Sequence, residues 1–234
     1  MSFVAALHLM QAAHFWFACY YDWNYVNVPV EVYSVGLTLA TGKLKFLTFW
    51  NALLQAAFFT ICLLNNFIGT SEINPKSKPF IRRIRDTVLA TLALPLSLFV
   101  GLSFWSIYAI DRELIFPKAL DPFFPVWLNH AMHTNIMIFV LIQTYMSYHE
   151  YPSRKVGVSL FMAFMAIYLV WIHIIHAQSG VWVYPILEVL NFPLRLVFFG
   201  VAVCVGIFLY ILGEKLNKML WRNIVEKNKR KKRN

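Results

Sequence analysis

Two pairs of histidines stand out in this sequence because both lie in apolar surroundings. His130 and His133 are three residues apart in the stretch WLNHAMHTN, and His173 and His176 have the same spacing in WIHIIHAQSG. Imidazole is the side chain best suited to proton transfer at neutral pH, and it is also a common metal ligand. The pattern therefore indicates either acid–base chemistry or a metal or haem site built from these four histidines.

The metal interpretation lacks an orienting acid in the sequence. A metal-bound histidine usually donates its second ring nitrogen to a carboxylate or a carbonyl group. The apolar segments that contain the histidine pairs hold no Asp or Glu, and the nearest acidic candidate is Glu188. A haem- or metal-binding membrane protein therefore stays open as the alternative function.

A threonine is suitably placed for the acid–base interpretation. Thr48, Asn51 and Gln55 fall on one helical face in FLTFWNALLQAAFF, a pattern that is also typical of bonds between membrane helices. A threonine hydroxyl becomes a useful nucleophile only when a base accepts its proton, and His133 is the candidate base. Reaction at a carbonyl also needs donors for the oxyanion, for which the sequence offers Asn51, Asn129 and His130.

The apolar segments that carry these residues predict a polytopic membrane protein. The chain has 234 residues, of which 59% are hydrophobic and 14% charged, whereas soluble domains average about 25% charged residues. We expect an all-α bundle of six transmembrane helices in one domain, residues 1–213, followed by a basic tail, residues 214–234. The six stretches have about the length that crosses a bilayer: 3–20, 46–67, 87–109, 125–147, 157–176 and 191–213.

The distribution of basic residues orients the predicted bundle. Loops 68–86 and 148–156, together with the C-terminal tail, hold most of the 21 Lys and Arg. An excess of basic residues marks the cytosolic side, so we expect both termini in the cytosol. Thr48 and His133 then lie roughly 4 and 12 Å below the lumenal surface, which lets them meet. The loops on the lumenal side hold only Lys43, Lys45, Arg112 and Lys118.

The basic tail suggests where the protein resides. Because its Lys and Arg follow a membrane helix directly, we expect them near anionic lipid headgroups, and we expect no nucleic-acid partner. The last four residues, KKRN, place Lys231 and Lys232 where a dilysine retrieval signal has its lysines. We therefore expect a multi-pass protein of the endoplasmic reticulum membrane, with the plasma membrane as the other location.

Five stretches of the chain occur in the same order in a known family: KFLTFWNALLQAAFF, IYAIDRELIFPKALD, FPVWLNHAMHTN, YPSR and SGVWVYPILE. With them the chain resembles the androgen-induced hydrolase family over most of its length. The resemblance implies a multipass membrane hydrolase that cleaves fatty acid esters of hydroxy fatty acids with an intramembrane threonine and a histidine. It implies Thr48 and His133 as that pair, and we expect no metal or other cofactor.

The resemblance also bears on the other candidates. His176 matches a family histidine and His173 does not, which weakens the four-histidine metal site, and Asn51 stands where some members have an aspartate. In the expected mechanism Thr48 attacks the carbonyl of a lipid ester, and water then releases the acyl group. The candidate contacts for the substrate are Lys43, Lys45, Arg112 and Lys118 for a carboxylate, together with His176 and Glu188.

Overall fold

The structure, a computed structural model, describes residues 2–29 and 42–231 and contains helices but no strand within these two ranges. The predicted all-α fold class is confirmed for the described residues. Short 3₁₀ turns at Lys43–Lys45, Arg112–Leu114 and Lys118–Leu120 lie in the connections. The helices are α1 (Phe3–Tyr25), α2 (Leu47–Ile68), α3 (Phe80–Ile110), α4 (126–146), α5 (Arg154–Ser179), α6 (Pro185–Val189) and α7 (Phe192–Lys231).

Four helices, α2, α3, α5 and α7, are long and apolar enough to cross a membrane. They coincide with the second, third, fifth and sixth predicted stretches. Helices α1 and α4 occupy the first and fourth stretches, and their polar side chains lower their hydropathy. In α1 these side chains face inward, since His8 is 3% exposed and Gln11 is fully buried. The chain is therefore a helical membrane protein with four candidate spans.

Two helices contain a π turn, in which the backbone fits one more residue than an α turn does. In α3 the π turn covers Leu89–Ala93, and in α4 it covers Ala131–Asn135. Pro95 lies just after the π turn of α3, inside the continuous helix Phe80–Ile110. A proline has no N–H to donate to the preceding turn, and a π turn is one of the local adjustments by which membrane helices accommodate it.

The core is formed where α2 packs against α1 and α3. Phe15, Phe58 and Phe59 are fully buried, and the rings of Phe15 and Phe59 stack with their centroids 5.9 Å apart. Ala52 and Ala56 on α2 are also fully buried. Small residues let membrane helices approach closely, and the resulting van der Waals contact is what stabilises such bundles. Helix α2 is therefore held between α1 and α3.

Helix α7 extends beyond the predicted end of the sixth stretch at residue 213 and runs to Lys231. Glu214 accepts hydrogen bonds from Arg154 and Lys218. Asn217 exchanges two hydrogen bonds with the backbone of His149, at 2.8 and 3.3 Å. The first part of the predicted tail is therefore helical and packs against the connection between α4 and α5. Residues 232–234, which include most of the KKRN sequence, lie outside the described residues.

A chain of side-chain hydrogen bonds connects α1, α2, α4 and α3 near this connection. The Nδ1 atom of His149 lies 3.0 Å from the Asp86 carboxylate, which only accepts, so Nδ1 carries the proton. The His149 Nε2 atom then accepts from Gln143 at 3.3 Å, and Gln143 accepts from His8 at 2.7 Å. Asn66 donates to His8 at 2.8 Å. Every donor in this chain points towards Asp86.

Basic side chains complete the surroundings of Asp86. Arg85 lies 2.7 Å from its carboxylate and Arg82 lies 3.5 Å away, and both arginines are buried. Burial of the His149 ring lowers its pKa to about 4. The hydrogen bond to Asp86 raises this pKa, but burial has the larger effect. The imidazole of His149 is therefore neutral at pH 7 in the folded protein.

This burial predicts that acid destabilises the protein through His149. Its pKa in the folded state, about 4, lies below the ordinary value of 6.5. The unfolded chain therefore takes up the proton first, and the free energy of unfolding falls as the pH is lowered from 6.5 towards 4, by up to about 1.4 kcal/mol per pH unit. Thermal unfolding in detergent across this pH range measures the effect, and His149→Gln should flatten it. An equal pH dependence in that variant would contradict the assignment.

Candidate functional site

The structure brings Thr48 and His133 together. Thr48 lies in the first turn of α2, and its Oγ1 atom is 3.3 Å from Nε2 of His133, which lies in the π turn of α4. The two residues are 85 positions apart in the chain. Their contact depends on how α2 packs against α4, which neither local sequence determines.

The hydrogen bonds of His133 determine which ring nitrogen carries the proton. Its Nδ1 atom lies 3.0 Å from the backbone carbonyl of Asn129 and 2.7 Å from the side-chain oxygen of the same residue. A backbone carbonyl only accepts, so Nδ1 carries the hydrogen in the neutral ring. The Nε2 atom then has a lone pair directed at the Thr48 hydroxyl. This is the tautomer that a general base needs.

Two further features hold the His133 ring in place. The ring of Phe104 on α3 stacks on it, with centroids 3.5 Å apart and planes 12° apart. The π turn shifts the side chains that follow it relative to an α-helix, and such turns are frequent at functional sites. The imidazole is only 6% exposed. It therefore has little freedom to leave the position opposite Thr48.

Two tyrosines bind the amino end of α2, beside the threonine. The Leu47 amide donates to the hydroxyl groups of Tyr168, at 2.9 Å, and Tyr184, at 3.0 Å. Tyr168 donates its own proton to the Lys45 carbonyl, so the 2.9 Å contact between the two hydroxyl groups has Tyr184 as donor. These bonds span 121 and 137 residues of the chain, so no local sequence pattern indicates them.

The backbone N–H of Thr48 is the next amide along the chain after that of Leu47. The first amides of a helix lack partners within the helix and carry its positive partial charge. Within the part of the chain that the structure describes, nothing accepts a hydrogen bond from the Thr48 amide. The hydroxyl of Thr48 therefore lies beside a donor that is oriented by the helix and open for an anionic oxygen.

A cavity of about 310 Å³ opens at Thr48 and His133. Of the lysines that line it, Lys43 forms an ion pair with Asp22 at 2.9 Å and donates to a backbone carbonyl at 2.7 Å. Lys45 also lines the cavity, and burial, followed by the nearby charge of Lys43, lowers its pKa to about 8. At pH 7 this wall of the cavity therefore carries positive charge.

A second cavity of about 490 Å³ reaches Thr48 from another side. Apolar side chains of α3, α5 and α7 form most of its walls. Four residues line both cavities: Thr48, Phe104, Ile115 and Tyr184. The threonine therefore stands where a polar and an apolar space meet.

The three predicted oxyanion donors have other contacts. Asn51 is fully buried, and its oxygen accepts from Gln55 at 3.2 Å and from Ser97 at 3.3 Å, so it links α2 to α3 and lines neither cavity. Asn129 lies on the Nδ1 side of His133, away from the threonine. His130 contacts Thr134 at 3.1 Å and stacks on a tryptophan outside both cavities. The structure offers the Thr48 amide in their place.

The remaining predicted contacts also lie outside the two cavities. Arg112 pairs with Asp121 at 2.5 Å and packs on Tyr108. Lys118 lies in the same connection between α3 and α4 and lines neither cavity. Of the four basic residues predicted to bind a carboxylate, only Lys43 and Lys45 face the threonine and histidine.

The second histidine pair belongs to a cluster around Trp182. The ring of His176 stacks on this tryptophan at 4.1 Å, His173 contacts it edge-on at 5.1 Å, and Glu188 accepts a hydrogen bond from its backbone. The side chains of His173, His176 and Glu188 all lie outside the two cavities. Their contacts shape the loop between α5 and α6.

A metal site built from the four histidines lacks structural support. Across residues 2–29 and 42–231, no group of three or more His, Cys, Asp or Glu side chains is placed to hold a metal ion. Both ring nitrogens of His133 are also engaged in contacts within the protein, which leaves neither available as an axial ligand of haem.

Comparison with known proteins identifies the family. The family described as FAR-17a/AIG1-like protein matches residues 3–218, which include both cavities and the whole Thr48–His133 site. The chain belongs to this family. The androgen-induced gene 1 protein of Homo sapiens is 44% identical over 187 residues, covering 77% of this chain and 78% of its own length.

Other relatives extend the family comparison. An androgen-dependent TFPI-regulating protein of Mesocricetus auratus is 42% identical over 193 residues, which cover 82% of this chain and 83% of the relative. A UPF0641 membrane protein of Schizosaccharomyces pombe is 26% identical over 127 residues, 53% of this chain and 56% of the relative. No solved structure matches the chain.

Proposed function

We propose that this protein is a membrane-embedded carboxylic ester hydrolase in which Thr48 is the nucleophile and His133 the general base. The observation that carries the proposal is the 3.3 Å contact between the Thr48 hydroxyl and the Nε2 atom of a histidine whose other nitrogen donates to Asn129. A hydroxyl, a base in the correct tautomer and a residue that orients the base are the parts that nucleophilic acyl transfer requires.

In the first half of the proposed reaction, an acyl-threonine forms. His133 Nε2 accepts the hydroxyl proton of Thr48 while Oγ1 forms a bond to the ester carbonyl carbon, and the carbonyl electrons move onto its oxygen. When this intermediate collapses, the bond from the carbon to the alcohol oxygen breaks. The alcohol takes the proton from His133 and leaves. In the second half, water follows the same path, and the carboxylic acid is released with Thr48 regenerated.

The developing oxyanion needs donors that are already oriented. The backbone N–H of Thr48 supplies one, and the positive end of the α2 dipole favours negative charge at the same place. The Tyr184 hydroxyl lines both cavities, but it donates its one proton to Tyr168 at 2.9 Å, so it holds the amino end of α2 and does not act on the oxyanion. The Thr48 amide therefore takes the place of Asn51, Asn129 and His130, the donors expected from the sequence.

The proposed substrates are lipid esters, above all fatty acid esters of hydroxy fatty acids. The apolar second cavity and the membrane setting favour such esters over soluble ones. A free carboxylate on the substrate would bind the ammonium group of Lys45, which lines the same cavity as Thr48 and His133. The pKa of Lys45, about 8, implies that the preference for such an acid declines above pH 8 as the ammonium loses its proton.

Replacing either reacting group should abolish ester cleavage. We expect Thr48→Ala and His133→Ala to lower kcat by roughly 10³-fold or more, because each removes a group that acts directly on the reacting atoms. Release of fatty acid from a fatty acid ester of a hydroxy fatty acid, measured with purified protein in detergent, tests this. A fluorophosphonate probe should label the wild-type protein at Thr48 and neither variant.

Thr48→Ser is the matched control, because it keeps a hydroxyl at the same position and should retain measurable turnover. Thermal unfolding of each variant shows whether it is folded. Full activity of a folded Thr48→Ala protein would overturn the assignment of the nucleophile.

Asn129 should act as a positioning residue through His133. Asn129→Ala leaves only the backbone carbonyl as acceptor, and we expect kcat to fall roughly 10- to 100-fold with KM unchanged, as the ring becomes less well oriented. Asn129→Asp keeps the acceptor and should shift the acidic limb of the pH–rate profile upward, since a carboxylate favours protonation of the ring. Asn135→Ala, in the π turn that contains His133, is the control and should leave kcat and the profile unchanged. A profile that is the same in the wild type and in Asn129→Asp would contradict this role.

We further propose that all six predicted stretches cross the membrane, with both termini in the cytosol and the basic tail at anionic headgroups. Engineered glycosylation sites test the topology: one in the loop after α5 should be modified in cells, and one at the C-terminus should not. Replacing Lys231 and Lys232 with serine should move the protein from the endoplasmic reticulum to the cell surface. Glycosylation at the C-terminus would contradict this orientation.

A further inference from the structure

The two cavities differ in which reacting group they reach. Thr48 lines both, but His133 lines only the first of them. The first cavity also carries the polar groups Asp22, Lys43 and Lys45. The second is walled mainly by apolar side chains of α3, α5 and α7. An ester bound at Thr48 therefore has two different places for its two limbs.

The position of the base determines which limb occupies which cavity. When the tetrahedral intermediate collapses, the departing alcohol oxygen must receive the proton that His133 took from Thr48. The alcohol limb must therefore lie on the side of His133, in the first cavity. The acyl limb, attached to the same carbon, then points away from the base towards the second cavity.

The second cavity is suited to a hydrocarbon chain that enters from the bilayer. Several of its lining side chains also face the outside of the bundle: Leu102 is 48% exposed and Val201 is 56% exposed. Both belong to helices that are long and apolar enough to span a membrane. The wall between α3 and α7 is therefore continuous with the lipid-facing surface, so that an acyl chain can enter laterally without contact with water.

We propose that the second cavity is the acyl-chain site, and that it sets the acyl chain length of the substrate independently of the alcohol limb. This inference rests on the proposed function. The acyl group that is transiently bound to Thr48 is then the part of the ester that lies in the second cavity. The alcohol limb, released first from the polar first cavity, is the part that reaches Lys45.

Narrowing the second cavity tests the assignment. Ala166 on α5 lines it, and Ala166→Phe should fill part of the space. The substrates are esters of one hydroxy fatty acid with acyl groups from acetyl to palmitoyl, and the released hydroxy acid is measured by mass spectrometry. We expect kcat/KM for the palmitoyl ester to fall at least about 10-fold, because loss of apolar pocket contacts has effects of this size. The acetyl ester should change less than about 2-fold.

Two controls separate cavity filling from general disturbance. Ala163 and Ala166 are both exposed on α5, but Ala163 lines neither cavity, so Ala163→Phe should leave the whole chain-length profile unchanged. Ala202→Phe narrows the same cavity from α7 and should reproduce the loss seen with Ala166→Phe. Lys45→Gln should weaken turnover of the whole series, because the alcohol limb is constant, and should not alter its dependence on acyl length.

Distinct outcomes overturn the inference and the proposed function. If palmitoyl turnover is unchanged in both cavity variants and falls in Val28→Trp, which narrows the first cavity, the acyl chain lies in the first cavity and the inference is wrong. An equal loss for acetyl and palmitoyl esters in folded cavity variants also rejects it. Turnover that persists in Thr48→Ala would instead reject the proposed function.

Discussion

The site depends on one hydrogen bond, from the Nδ1 atom of His133 to the backbone carbonyl of Asn129. A carbonyl oxygen has no proton to give, so this contact requires the Nδ1–H tautomer and directs the Nε2 lone pair at Thr48. In a bilayer, where a buried polar group without a partner is costly, the alternative tautomer would place an unprotonated Nδ1 atom against an acceptor oxygen. The side-chain oxygen of Asn129 lies 2.7 Å from Nδ1 and favours the same tautomer. The remaining structure keeps this geometry in place.

The bundle supports the site from several directions. Phe104 of α3 covers the imidazole, and Tyr168 and Tyr184 bind the amino end of α2, so that the threonine and its amide have a defined position. The other end of α2 lies about 27 Å away at Asn66, by the rise of 1.5 Å per residue. There the chain of neutral side chains ending at Asp86 holds α1, α2, α3 and α4 together. Polar contacts at both ends thus align helices whose middle is packed by phenylalanine and alanine.

Apolar runs of membrane length are local signals and predict the helices, and the comparable depth of Thr48 and His133 within two of these runs makes them a candidate pair, although the contact itself depends on helix packing. The residue that orients His133 could not be predicted, since the sequence suits Asn129 equally well to the role of an oxyanion donor until the π turn is known. A π turn adds one residue to a helix and leaves no trace in hydrophobic periodicity. The tyrosines that bind α2 come from more than 120 residues away along the chain. The extension of α7 had a signal in the charge pairs Glu214–Lys218 and Arg222–Glu226, which lie one helical turn apart.

The central claim is that the acyl group passes through Thr48. Mass spectrometry of the protein, quenched in acid during turnover of a slowly hydrolysed ester and digested to peptides, tests it most directly. If Thr48 is the nucleophile, the acyl mass is found on the peptide that contains Thr48, and it disappears when the substrate is exhausted. Continued turnover with the acyl group on another residue would contradict it.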